Sequence, residues 1–302
     1  MTGIGAQIAL SVYLATILAC IFYTTPIFRP LTFYGGVLLL ALCGFLNGFM
    51  TSRMFKFFNL QWGWRTSALL TSLIFPCYVL LCCASGDIIE SYMGSSAAVP
   101  FSEGLLHYLI WWAIDAPLAA YGAYRGNQAE LSVEPEVGQI RKKIPAMPWY
   151  LTRPAIVLIY GPIIFATVFF EFEYIMDSIW RSYMIYGMFL VLLGSLVMMG
   201  VTIAALSICI TYKLLCHGNY DWWWHSFCLG VSGGLYMLAY SMYYMFFREE
   251  YKVLSEDILY YLIMTLICSC YGFMCGAISI LASYLFVERI YNVSSKGQFT
   301  KF

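Results

Sequence analysis

The chain has 302 residues, 62% hydrophobic and 11% charged, with sixteen Lys and Arg balanced by sixteen Asp and Glu for a formal net charge of zero. A soluble domain carries about 25% charged residues, so this composition, with its mean hydropathy of +0.76, excludes a soluble globule. It equally excludes nucleic-acid binding, because no soluble stretch is left to carry a basic domain.

Eight apolar runs follow one another along the chain, each long enough to cross hydrocarbon as a helix of roughly 17–25 residues. The first, 6–23, has neither a basic flank nor a small-residue cleavage site before Arg29, and reads as a retained span rather than a leader. The second, 31–50, places Gly44, Gly48 and, just beyond it, Ser52 at steps of four, which makes a small-residue face. The third, 66–84, contains Pro76; the fourth, 104–123, Pro117 and Asp115; the fifth, 154–174, Pro162 and Glu171. Each proline is expected to kink its helix or free a carbonyl. The sixth run, 182–212, and the eighth, 258–287, would each measure about 45 Å against a hydrocarbon core of about 30 Å, so they must tilt or project. The seventh is 227–247. In the eighth, Ser269, Gly272, Gly276, Ser279 and Ser283 recur at steps of three and four, one face along which another helix can approach closely, whether from within the bundle or from another protein. Residues 288–302 form a tail.

Charge orients these runs. Arg53, Lys56, Arg65, Arg125, Arg141, Lys142, Lys143, Arg153, Lys213, Arg289, Lys296 and Lys301 fall on one side, and only Arg29, Arg181, Arg248 and Lys252 on the other. The positive-inside rule makes the first side cytosolic, with both termini on it, and brings that basic face against anionic membrane lipids. The expected fold is therefore an all-α polytopic transmembrane bundle of eight spans, a single domain over 1–302. Ten of the eleven cysteines lie in or beside apolar runs as small hydrophobes, and only Cys216 occupies a cytosolic turn. Trp62, Trp64, Trp149, Trp222, Trp223 and Trp224 stand near cytosolic span ends, where an aromatic belt is expected.

Several local strings are more specific than hydropathy: GIGAQ from Gly3, SRMFK from Ser52, GSSAAVPF from Gly94, IPAMPWYLTRP from Ile144, DSIW from Asp177 and YDWWWHSF from Tyr220. In order and spacing they resemble the nonaspanins, the transmembrane 9 superfamily, over nearly all of residues 3–292. The resemblance corresponds to that family's second through ninth spans, so the chain reads as a membrane portion without the family's luminal domain and first span. What it implies is a non-enzymatic protein of Golgi or endosomal membranes that assists trafficking, sorting and surface localisation of other membrane proteins. Its clients would be membrane proteins with glycine-rich spans. The family's tail signal is read by coat proteins; here Lys301 is present, but the terminal acid is not.

Two acids stand apart. Asp115 lies near mid-bilayer, where insertion scales charge about 2.5–3.5 kcal/mol for an acid, so a partner such as Asn47 or a tyrosine on another helix is expected. Glu171, followed by Glu173 and Asp177, sits near the far end of the fifth run, and Asp177 is spaced to pair with Arg181. These acids carry the alternative reading, a proton-linked secondary transporter or channel. His107, His217 and His225 are too scattered to assemble a metal site or a catalytic base, and no cofactor is implied.

Overall fold

The computed structural model describes residues 1–22, 29–58, 63–92, 100–129, 145, 147–181, 188–248 and 254–299. Trp62, most of the GSSAAVPF string, the centre of the long 124–153 segment and Lys301 lie outside them, as do the side chains of Asp177 and Arg181. Among the described residues the regular structure is ten α-helices and one 3-10 turn over Trp149–Leu151, with no strand. The helices are α1 (Thr2–Phe22), α2 (Arg29–Leu42), α3 (Gly44–Phe57), α4 (Trp64–Tyr92), α5 (Phe101–Gln128), α6 (Arg153–Ala166), α7 (Phe169–Arg181), α8 (Met188–Cys216), α9 (Trp222–Arg248) and α10 (Leu254–Phe299). The fold is an all-α polytopic bundle.

Local chemistry sets the boundaries. Thr152 Oγ1 donates to Trp149 O at 2.7 Å and Pro154 follows in the first turn of α6, a pre-organised helix start. At the end of α8, Gly218 takes φ +73° while the N–H groups of Gly218 and Asn219 return to Leu215 O and Leu214 O, a glycine-terminated helix cap. Lys56 Nζ reaches from α3 to Ala129 O at 3.0 Å, putting a cation on the carbonyl end of α5.

Five helical stretches are long and apolar enough to cross a membrane: Thr2–Ile21, Gly35–Phe57, Trp64–Tyr92, Phe189–Cys216 and Asp257–Tyr291. A sixth is reached if α6 and the start of α7 count as one crossing, although they bend by 66°. The expectation of eight spans therefore exceeds what length and apolarity support. The remaining two runs are the helices α5, of 28 residues, and α9, of 27 residues, which fall short because Asp115, glycines, serines and interfacial Trp and Tyr dilute their hydropathy. The run 154–174 is also not one straight span. Thr167 N and Val168 N bond back three residues, to Ile164 O and Phe165 O, and Thr167 Oγ1 also takes Ile164 O at 2.7 Å, so the helix tightens and stops. α6, with 14 residues, is only about 21 Å long. As the sixth and eighth runs require, α8 and α10 exceed the hydrocarbon thickness, α10 reaching 46 residues, or about 69 Å.

Glycine-lined seams join the helices. Between α9 and α10, a methyl on Gly230 would stand 2.5 Å from Gly276 Cα, and one on Gly234 2.7 Å from Cys268 O. Between α3 and α5, a methyl on Gly48 would fall on the Ala119 carbonyl and one on Gly122 on the Phe45 carbonyl. Backbones this close gain dispersion contacts that larger side chains forbid. Pro162 adds a different device: it removes the N–H that would serve Leu158 O, and Tyr236 Oη of α9 donates to that carbonyl at 3.2 Å. Tyr236 reaches it because its ring lies against Gly161.

The triple tryptophan divides. Trp222 is buried, Trp223 stacks edge-on against Phe58 at 5.1 Å, and Trp224 is exposed. The belt role thus falls to Trp224 and the exposed Trp149, while Trp222 is buried in the core and Trp223 ties α9 to the end of α3.

The seams predict a contrast between two glycines of one interface. Gly230→Ala should destabilise the bundle by about 1–3 kcal/mol through overpacking, whereas Gly272→Ala should be tolerated, because its methyl would meet Val231 O at an ordinary 3.6 Å. Thermal unfolding of both variants in one detergent checks this.

Candidate functional site

The most deeply buried acid, Asp115 of α5, is 1% exposed and receives a 2.7 Å hydrogen bond from Gln7 Nε2 of α1. The same amide nitrogen donates its second proton to Leu40 O of α2 at 2.9 Å. One side chain thereby satisfies acceptors on two other helices. Leu40 stands one turn before Cys43, the residue that interrupts α2 and α3, and a side chain entering the i→i−4 ladder is a recognised cause of such interruptions. Asp115 Oδ1 also lies directly over Gly44, where any Cβ would collide with it. A one-residue turn between two helices, a buried carboxylate and a bridging amide therefore meet at one level.

The expected partner of Asp115 was Asn47 or a tyrosine; the structure supplies Gln7. Asn47 is fully buried one turn along α3 from Gly44, but its Oδ1 accepts from Thr51 Oγ1 at 3.3 Å and its Nδ2 has no hydrogen-bond partner among the described residues. Gln7 carried a legible signal, being the one carboxamide in an otherwise apolar run. Its pairing to a residue 108 positions away carried none.

The α10 face occupies a second polar centre. Gly272 and Gly276 lie against Gly234, Val231 and Phe227 of α9, and Ser279 Oγ donates to Ser226 O at 2.6 Å. Ser283 Oγ meets three hydroxyls: Ser207 at 2.5 Å, Thr211 at 2.8 Å and Ser226 at 2.8 Å. Ser207 Oγ also donates to Ser279 O at 2.6 Å, which spends its only proton, so Ser283 must donate to Ser207 and accept from the other side. The protons of Ser207 and Ser283 are thereby assigned, while Thr211 and Ser226, 3.2 Å apart, can each donate to Ser283 or to the other, so every hydroxyl proton has an acceptor, as burial in a low-dielectric interior demands. Ser269 turns away from this centre to Tyr78 Oη of α4 at 3.0 Å. All five stripe residues are thus engaged by α4, α8 or α9. The partner glycines Gly230 and Gly234, spaced four apart, were equally readable in the sequence.

Glu171 is not brought to Asp115. It lies in the first turn of α7, half-buried, where the positive end of the helix favours an acid, and α7 packs against α6 and α8 while α5 packs against α3 and α4. The three histidines remain apart as well: Nδ1 of His107, His217 and His225 each donates to the carbonyl four residues earlier on its own helix turn. Among the described residues no group of three or more His, Cys, Asp or Glu is placed to hold a metal.

Residues 1–254 match the family model described as endomembrane protein 70. The chain belongs to that family. Over 96% of its length it is 29% identical to transmembrane 9 superfamily member 10 of Arabidopsis thaliana, 31% to member 2 of Homo sapiens and 27% to member 4 of Rattus norvegicus. It spans only 45%, 44% and 45% of those proteins, so it is similar to a part of each. No solved structure matches it. Membership in this superfamily and the apolar helices make it an integral membrane protein of an endomembrane family.

Because Gln7 serves two acceptors, Gln7→Leu should cost about 1–3 kcal/mol by leaving them unsatisfied. Asp115→Asn should cost less, since an amide oxygen still accepts from Gln7. A double-mutant cycle between Gln7→Leu and Asp115→Leu, measured by unfolding in bilayer nanodiscs, should return a coupling of about 0.6–1.7 kcal/mol. Additivity would show that the bond contributes nothing.

Proposed function

We propose that the chain is the membrane portion of a non-enzymatic protein of Golgi or endosomal membranes that assists trafficking, sorting and surface localisation of other membrane proteins by recognising their helices in the bilayer. Membership in the endomembrane protein 70 family is the observation that carries this reading. The helix chemistry supports it, since a bundle held by glycine seams and interhelical hydroxyl networks uses the same forces that select one helix over another in lipid. Clients with glycine-rich spans fit that chemistry, and both termini face the cytosol on the strength of the twelve-to-four distribution of basic residues.

The surface proteome of cells with and without the full-length gene tests the role: a defined set of multispanning proteins should fall at the surface while their synthesis is unchanged. Thiol labelling tests orientation. Lys142→Cys should react from the cytosolic side and Ser95→Cys from the opposite side; labelling of both from one side would overturn the topology.

A second reading, proton-linked transport, is favoured by one specific observation, the juxtaposition of Asp115 with the interrupted α2–α3 helix. It predicts solute or current flux in proteoliposomes without any client protein, and loss of that flux in Asp115→Asn with expression intact. Absence of pH-dependent flux in the wild-type protein would remove it.

A further inference from the structure

Beyond the polar centres, α4 and α10 leave a cavity of about 190 Å³ between them, opening laterally at the end where α4 stops and α10 starts. Its floor is apolar, formed by Gly86, Leu259, Leu262 and Leu266, and its rim carries Asp87, Glu90 and the exposed Cys83. Those acids form no ion pair among the described residues. Asp257, two residues before Leu259 on α10, adds a third acid at the same end, with Oδ1 shielded and unpartnered among the described residues. The cavity is smaller than the ~300–1,000 Å³ of a drug-sized ligand site. It has room for one long side chain.

We propose that this groove docks a membrane-spanning helix of a partner protein through a single lysine or arginine near the end of its span, on the side where α4 ends. An aliphatic stem tipped by a cation is the side chain that matches an apolar floor with an acidic rim, and near a span end such residues extend towards the interface in this way. Gly86 puts no side chain into the groove, and a methyl there would already press on Leu259 Cδ1 at 3.3 Å. The glycine faces of α3, α5, α9 and α10 are already filled by one another, so they cannot also receive a partner without opening the bundle. The groove rests on the trafficking reading and assigns it a place and a chemistry.

The test reconstitutes the full chain in nanodiscs with a single-span Leu/Ala peptide bearing one lysine near its end, or norleucine at that position, each with a photoreactive residue beside it. The lysine peptide should crosslink to α4 and α10 about tenfold more than the norleucine peptide, the factor expected of one well-placed charge pair. Asp87→Asn with Glu90→Gln should erase that preference at unchanged thermal stability, and Gly86→Leu should lower capture of both peptides. Equal capture of the two peptides, or a preference that survives the neutralised rim, overturns the proposal. So does dodecylamine protecting Cys83 from a maleimide when the lysine peptide does not, which would make the groove a site for a cationic amphiphile. Lys252→Gln that by itself speeds maleimide labelling of Cys83 would assign the groove to this chain's own residue, and the proposal would also fail. The trafficking reading fails separately: if deleting the gene leaves the surface proteome unchanged while the lysine preference holds, the groove stands without that role. Surface loss on deletion that the neutralised rim fully rescues leaves trafficking standing and removes the groove from it.

Discussion

A polar group in hydrocarbon has no water to turn to, and this constraint decides which helices of the bundle touch. Gln7 is the clearest case, because its two amide protons are directed at Leu40 O and Asp115, acceptors on helices that the chain places before and after a long intervening stretch. The carbonyl freed by Pro162 is answered in the same way by Tyr236, and the five hydroxyls around Ser283 close a network that joins α8, α9 and α10. Between such points the helices have only dispersion to hold them, which is why backbone approach at Gly48, Gly122, Gly230 and Gly234 matters. Polar bonds fix the register; glycine fixes the distance.

α10 carries the largest part of this organisation. It packs against α9, α1, α8 and α4, and different residues of one periodic stripe serve different neighbours. Gly272 and Gly276 face α9, Ser279 and Ser283 face the α8–α9 junction, and Ser269 faces α4. A step of three or four residues keeps side chains on one side of a helix, but over fourteen residues that side drifts around the axis and meets several partners in turn. The face was legible as a contact surface, and the identity of what it contacts required the fold.

Runs of apolar residues mark where helices lie, and the described residues of all eight runs are helical except at the turns of Cys43 and of Thr167 and Val168, because an apolar segment in lipid has no other way to satisfy its backbone. Hydropathy does not record where a helix bends. The stop at Thr167 and Val168 depends on a threonine hydroxyl taking its own backbone carbonyl three residues back, a local bond that leaves no mark on an apolar count. Long-range pairs were equally hidden. Asp115 announced that it needed a partner, but several helices carried polar residues able to answer, and only the packing of α1 against α2 and α3, which themselves pack on α5, selected Gln7 over Asn47.

The interruption at Cys43 separates the two functional readings physically. In a transporter, a broken helix beside an acid supplies backbone groups that change partners as the site opens. Here Leu40 O and Asp115 are held by the two protons of one amide, so a displacement of Gln7 releases both acceptors together. A protonated Asp115 keeps its acceptor oxygen for Gln7 and gains a donor proton, whereas an ionised one increases the demand on that single amide. The unpartnered Asn47 Nδ2 lies on the same helix one turn along, a second buried donor without an acceptor among the described residues. Rotation of α3 that brought Asn47 Nδ2 towards Asp115 would satisfy an ionised carboxylate without any basic residue, at the expense of the close fit at Gly48. The glycine seam therefore sets how far that helix can turn, and the same close packing that stabilises the bundle opposes the movement a transport cycle would need.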